Sequence, residues 1–140
     1  RYGVPAAIAA KLVHAERIVV SWNGDGCFLM SGGEAATAVQ YRIPVKVVIL
    51  NNGTLGMVRQ WQEFFFDADY SQTCLPRIPD FVKLAEAYGA KGFRATKPDG
   101  LDRRNSARAD QPRPRDHSAR RTRLSAWASP GRWSSSPRCC

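Results

Sequence analysis

The chain has few of the residues that build metal centres or covalent frameworks. It has two histidines, His14 and His117, and four cysteines, Cys27, Cys74, Cys139 and Cys140. None of these falls in a CxxC spacing or a Cys/His cluster, which argues against a zinc site and against a disulfide framework. A reducing, intracellular setting is the simplest reading. No apolar run approaches the ~20 residues that a membrane span needs, and no signal peptide is visible. Residues 101–140 contain no Ile, Val, Phe, Met or Lys. Such a stretch cannot bury a core and is expected to be disordered.

The net charge of +9 suggests a nucleic-acid partner until it is divided along the chain. Residues 1–100 hold eleven Lys or Arg against nine Asp or Glu, a balance of +2, whereas residues 101–140 hold ten Arg against three Asp, a balance of +7. The basic excess therefore belongs to the tail. Three readings of that tail compete: a basic nucleic-acid arm, an ordinary disordered tail, and the translation of a shifted reading frame in G+C-rich DNA. The dominance of Arg, Ala, Pro and Ser favours the shifted frame. No aromatic or Gly interleaving supports the arm, so a nucleic-acid partner is not expected. The chain opens at Arg1 and almost at once on a helix, which predicts that the start of the gene product lies upstream.

What remains, residues 1–99, alternates helical and strand patterns. "VPAAIAAKLV" (4–13) reads as an Ala-rich helix with Pro5 in its first turn, where a missing N–H costs nothing. "RIVVSW" (17–22) is a β-branched run of strand length. Residues 33–42 are helical by composition and by the spacing of Ala35, Ala36 and Val39. "PVKVVIL" (44–50) has the near-continuous apolar character of a strand buried on both faces. Residues 54–66 read as a helix with Leu55, Val58, Trp61, Gln62 and Phe65 near one face. Residues 80–89 read as another, with Phe81, Leu84, Ala85 and Tyr88 at helical spacing and Gly89 as the stop. Residues 91–96 complete the pattern as a strand. This order predicts an α/β domain with an open, mostly parallel sheet and helices on both faces.

Two loops carry the functional signal. "GDG" (24–26) follows the first strand directly, and "NNG" (51–53) follows the second. In an open parallel sheet, ligands bind beyond the carboxyl ends of the strands. One right-handed βαβ unit brings those two ends together, so Asp25 and Asn52 can face one crevice. Asp25 offers a carboxylate, Asn52 an amide oxygen, and the backbone near Thr54 a carbonyl. Three hard oxygen donors are too few to cage Mg²⁺, which takes its remaining ligands from water and substrate phosphates. Gly24 and Gly26 allow a close approach of backbone to phosphate, and the amides that follow favour anions. Taken alone, Gly-Asp-Gly is a common loop and Asn-Gly a common turn; their joint position at two strand ends points to a metal–diphosphate site.

"GVPAAIAAKL", "GDGCFLM", "PVKVVILNNGTLGMVRQWQEFFF", "YSQT" and "PDFVKLAEAYGAKGFRATKP" together resemble the C-terminal, diphosphate-binding domain of the acetolactate synthase large subunit, a thiamine-diphosphate enzyme. The resemblance covers residues 3–99. It implies that Asp25 and Asn52 bind Mg²⁺ by side chains and Thr54 by its backbone oxygen. It places Gly24, Gly26 and Cys27 against the diphosphate, Met57 near the cofactor and Trp61 in the substrate channel. On spacing alone, Met57 and Trp61 would be core residues of an amphipathic helix. Cys27 stands where the family usually has a small hydroxyl residue, Asn23 where an acidic one is common, and Arg1 and Tyr2 where a Gly-containing stretch is expected. His14 and His117 match no catalytic position and read as surface residues.

The resemblance implies decarboxylation of pyruvate and condensation of the product with a second 2-keto acid in branched-chain amino-acid biosynthesis. It implies FAD on a domain outside this chain, a homo-oligomer, a possible regulatory small subunit, and a cytoplasmic or, in a eukaryote, plastid location. The glutamate that contacts the aminopyrimidine belongs to an N-terminal domain of a partner subunit, so no catalytic residue is expected in these 140 positions and the chain should not turn over alone. Its apolar helices and sheet edge should favour aggregation. Three alternatives stand beside this reading: another thiamine-diphosphate enzyme of the glyoxylate carboligase or pyruvate oxidase type, a non-catalytic relative, and a basic-tailed nucleic-acid-binding module.

Overall fold

The computed structural model describes residues 2–96 together with the backbone of residues 123–128. Helix α1 (Gly3–Val13) starts the chain, with Pro5 in its first turn. Its residues Val4, Ala7, Ile8 and Lys11 fall at i, i+3, i+4 and i+7 and are all buried. This is the apolar stripe of an amphipathic helix, except that it ends in a lysine. The Lys11 Nζ resolves that conflict by donating to the Ala15 carbonyl at 2.6 Å and the Arg17 carbonyl at 2.5 Å. A cation is thus placed where the carbonyls beyond the helix end need donors.

Strand β1 (Val20–Gly24) runs straight into α2 (Asp25–Ser31), and α3 (Glu34–Gln40) leads to β2 (Lys46–Asn51). Helix α4 (Gly56–Phe65) and helix α5 (Phe81–Ala87) precede the two-residue strand β3 (Arg94–Ala95), and β4 (Arg123–Ala128) closes the series. Among the described residues the strands of the sheet pair in parallel, in the order β1-β2-β4-β3. The α/β class with a parallel sheet is therefore as the alternating pattern predicts.

One cluster of buried residues joins α1, α2, α3, β2 and α5. Val45, with Val47 and Ile49 of β2, packs with Val4 and Ile8 of α1, Phe28 of α2, Ala35 and Ala38 of α3, and Phe81 and Ala85 of α5. Phe28 and Phe81 meet edge to face, with ring centroids 5.6 Å apart, the arrangement that the ring quadrupoles favour. Along β2, Val47 and Ile49 are buried while Lys46, Val48 and Leu50 are half-buried. Among the described residues one face of this strand is thus covered more fully than the other, where its composition predicts burial on both. On β1, Val20 and Trp22 point outward and Trp22 is 68% exposed, while Ser21 and Asn23 are buried. Asn23 Nδ2 donates to Ser21 Oγ at 2.9 Å, which satisfies this inward polar pair.

Several boundaries differ from expectation. The strand expected at 17–22 runs over Val20–Gly24, because pairing with β2 begins at Val20↔Lys46. The strand expected at 91–96 keeps two residues. A helix not anticipated by sequence begins at Asp25. The largest correction concerns the tail. Arg123–Ala128, within the stretch expected to be structureless, is a strand lying between β2 and β3. Its backbone pairs with β2 from Lys46↔Arg123 to Asn51↔Ala128, and backbone pairing does not require the apolar side chains whose absence suggested disorder. The other residues beyond Thr96, including His117, Cys139 and Cys140, lie outside the described residues. His14 is exposed, as expected. Among the described residues no helix is long and apolar enough to cross a membrane.

Candidate functional site

The site starts from the register of β1 and β2. Gly24 pairs with Leu50, so the residues that follow each strand emerge side by side. Gly24 is extended, with φ −72° and ψ 161°, and the next residue is already helical. Asp25 is therefore fixed at the first position of α2, where a carboxylate is favoured by the free amides of the first turn. It is 2% exposed.

Three amides converge on that carboxylate. The Gly26 N–H donates to Oδ1 at 2.8 Å; the Gly53 and Asn52 N–H groups donate to Oδ2 at 2.6 and 3.2 Å. The two strand ends, 27 residues apart in sequence, are thus joined at one buried carboxylate. Gly53 has φ +69°, in the left-handed region that glycine enters without a Cβ penalty. This turn aims consecutive amides at Asp25. Asn52 is exposed, and its Oδ1 accepts the Thr54 N–H at 3.1 Å.

A third segment braces the loop. The Thr54 hydroxyl and the Leu55 N–H both donate to the Thr73 carbonyl, at 3.0 and 2.8 Å. The Leu75 N–H donates to the Gly53 carbonyl at 2.8 Å. Thr73 is 2% exposed. Sequence reasoning did not single out Thr73 or Leu75 as parts of the site, since both reach the Asn-Gly loop through their own backbone atoms and leave no pattern in residue type. Packing around Gly26 is close. A Cβ there would lie 2.6 Å from Leu55 Cδ2 and 3.7 Å from Leu75 Cδ1. A Cβ on Gly24 or Gly53 would meet no protein atom within 4 Å.

The remaining predicted positions lie at the edge of this arrangement. Cys27 is exposed on α2. Met57 and Trp61 lie on α4, 67% and 58% exposed. That helix buries none of its residues among those described, so neither side chain has the core role that spacing alone suggests. Val58, Phe64 and Phe65 share their exposure. The end of α4 is tied to the following loop by Gln62 Nε2, which donates to the Ser71 carbonyl at 2.9 Å, and by Arg59, whose guanidinium lies 4.9 Å from the Tyr70 ring centroid.

Among the described residues no group of three His, Cys, Asp or Glu side chains gathers. Any cation held here must use Asp25 with amide and backbone oxygens. That donor set is hard and oxygen-only, which suits Mg²⁺ and not zinc or copper. No Lys or Arg of the described residues forms an ion pair with Asp25. A buried carboxylate without a cation carries an electrostatic cost that hydrogen bonds only partly offset, and a bound divalent ion would remove it. The residues present fit such an ion.

The family described as thiamine pyrophosphate enzyme, C-terminal TPP binding domain, matches residues 2–114. This span runs past Gly100. The acetolactate synthase of Mycobacterium leprae (strain TN) is 49% identical over 118 residues, covering 81% of this chain and 19% of that protein. The acetolactate synthase large subunit of Haemophilus influenzae (strain ATCC 51907 / DSM 11121 / KW20 / Rd) is 48% identical over 101 residues, covering 72% of this chain and 18% of that subunit. Among solved structures, the thiamine diphosphate-dependent 4-hydroxybenzoylformate decarboxylase of Rhodococcus jostii RHA1 superposes with a TM-score of 0.75 at 30% identity, over 91% of this chain and 23% of that one. The chain therefore spans about a fifth of the length of these relatives.

Proposed function

The chain belongs to the thiamine pyrophosphate enzymes, as a C-terminal TPP-binding domain, and from that premise we propose that it forms the metal–diphosphate half of an acetolactate synthase site. Asp25 and Asn52 would hold Mg²⁺ through their side chains and Thr54 through its backbone oxygen. Gly24, Gly26 and Cys27 would face the diphosphate, with Met57 beside the cofactor and Trp61 along the path of the substrate. Thiamine diphosphate, when bound, supplies the electron sink that decarboxylation of a 2-keto acid requires. The role of this chain is to position and neutralise the diphosphate, and no catalytic acid or base is assigned within it.

The observation that carries the reading is the convergence of the Asn52 and Gly53 amides on buried Asp25. It joins two common loops at one buried carboxylate, at the carboxyl ends of adjacent parallel strands, and so supports the reading. Identity favours the acetolactate synthase type over the decarboxylase type, at 49% against 30%. On this reading the substrates are pyruvate and a second 2-keto acid in branched-chain amino-acid biosynthesis. The complete subunit would carry FAD elsewhere, assemble as a homo-oligomer with or without a regulatory small subunit, and work in the cytoplasm or, in a eukaryote, a plastid. The reading also takes residues 1–99 as part of the diphosphate-binding domain and residues 100–140 as frame-shifted; translating the coding DNA around codon 100 in all three frames tests that boundary.

The functional test is calorimetric titration of the chain with thiamine diphosphate, with Mg²⁺ and with a chelator. Binding is expected with Mg²⁺ only, and Asp25→Ala should abolish it. Equal binding in chelator would overturn the metal assignment. Incubation with pyruvate should give no acetolactate; turnover by the isolated chain would refute its dependence on the rest of the subunit.

A further inference from the structure

The two edges of the sheet differ. Among the described strands, the order β1-β2-β4-β3 leaves β1 and β3 outermost. β3 has two residues, too few to hold a further strand, whereas β1 has five. An edge strand keeps a row of backbone N–H and C=O groups without partners, and proteins blunt such edges with charges, prolines or bulges. Residues 18–24, IVVSWNG, contain no charged residue and no proline.

The ladder decides which groups stay open. The Lys46 N–H donates to the Val19 carbonyl at 3.0 Å. In a parallel ladder a residue turns both of its backbone groups towards one neighbour, and successive residues alternate. Val19, Ser21 and Asn23 therefore face β2, whereas Val20 and Trp22 direct their N–H and C=O groups away from the sheet. The side chains of Val20 and Trp22 are exposed as well, as is that of Ile18 two residues earlier, while Ser21 and Asn23 are buried. Open backbone and an exposed apolar row thus coincide on one strand.

We propose that the free edge of β1 binds the same edge of a second copy of this chain, joining the two sheets across a two-fold axis. Two identical strands laid antiparallel are self-complementary: with Val20 opposite Trp22 of the second copy, every outward N–H meets a C=O. Trp22 then lies beside the second copy's Val20 on one sheet face, an aromatic and β-branched pair of the kind that stabilises sheets. Without charges in residues 18–24, the two-fold brings no like charges together within the paired stretch. The pairing uses up β1 in both copies and leaves the two-residue β3 strands outermost, so assembly closes at two. The exposed side chains offer on the order of 300–400 Å² per copy, about half of a standard interface. The dimer is therefore a weak one, dissociating at about 1 μM to 1 mM. The proposal does not depend on the cofactor reading.

The test is analytical ultracentrifugation of the 140-residue chain over that concentration range, with hydrogen exchange of the Val20 and Trp22 amides followed by NMR at both ends of it. The mass should rise to two copies and stop. Both amides should exchange about tenfold more slowly when about nine-tenths of the chains are paired, since exchange then runs through the remaining monomer. Trp22→Lys, which places two cations beside the axis, should stay monomeric, and Phe65→Lys on the exposed face of α4 should pair as the parent does. A chain that is monomeric throughout would overturn the proposal, as would a dimer whose Val20 and Trp22 amides exchange as fast as the monomer's. A mass that climbs past two copies would overturn the closed pairing. Association lost in Phe65→Lys and kept in Trp22→Lys would move the contact to α4 and overturn it too. The mass and exchange measurements need no variant, so they decide the matter even if Trp22→Lys fails to fold.

Discussion

Replacing Asp25 by alanine tests the hinge of the whole site. The change removes three hydrogen bonds, of which the two from Asn52 and Gly53 join separate loops. Bonds to a charged acceptor contribute about 1.5–3 kcal/mol each, so the two together are worth about 3–6 kcal/mol gross. Two effects reduce this. The substitution also removes a buried charge without a cationic partner, which relieves part of a penalty of several kcal/mol. Asn52 is exposed and Gly53 half-buried, so water can replace some of the lost acceptor. A net loss of about 2 kcal/mol follows. With a urea dependence of about 1–2 kcal/mol per molar, the unfolding midpoint should fall by about 1–2 M. Asp25→Asn keeps one acceptor oxygen without the charge and should lie between the two. The measurement is urea unfolding followed by circular dichroism at neutral pH. An Asp25→Ala chain as stable as the parent, or more so, would refute the reasoning. It would mean that the cost of the lone buried charge exceeds what the three amides return.

Two more outcomes follow from the same structure. Ending the chain at Pro114 removes β4 and leaves β2 and β3 without their shared neighbour, so the shortened chain should unfold at lower urea; an unchanged midpoint would show that β4 contributes no stability. Asp80 caps α5 by accepting the Val82 and Lys83 N–H groups and pairs with Arg94 at 3.0 Å. Desolvation raises its pKa, but those two amides and the Arg94 guanidinium outweigh it and hold the carboxyl below the ordinary 3.8. Its stabilising contribution should be complete above that ordinary value and lost as pH falls through the lowered one. Asp80→Asn should flatten this acid limb of stability, and an identical limb in the variant would remove Asp80 as its source.

The βαβ unit and its paired strand ends were legible because they rest on long-lived signals: β-branched runs, helical spacing, and glycine with asparagine where the chain must turn. Asp25 and Asn52 could be placed together on topology alone. The helix at Asp25–Ser31 was not legible, since Gly26 has low helix propensity and Gly-Asp-Gly has the composition of a turn. Its helical state depends on Phe28, which tertiary packing buries against Phe81. The apolar face of α4 was legible as a face, but periodicity says nothing about what covers it, and α4 buries none of its residues among those described. Strand β4 was hidden because RLSAWA contains no β-branched residue, and strand preference largely reflects how side chains fit a pleated surface. The bracing of this loop by residues 73–75 uses their backbone groups, which any sequence supplies, together with the Thr54 hydroxyl.

The order of strands in the sheet also bears on how the chain is made. Of the described strands β4 is the last to be synthesised, yet it lies between β2 and β3, which precede it. A ribosome adding about 5–20 residues per second releases β1, β2 and the loops around Asp25 well before the strand that separates β2 from β3. During that interval β2 has one neighbour and β3 has none. The Asp25 site can therefore assemble on a nascent, half-built sheet, while the other half waits for β4 to emerge. A chaperone that shields one open strand edge would be needed longest at β2, and for a time set by translation speed rather than by the folding rate of the finished chain.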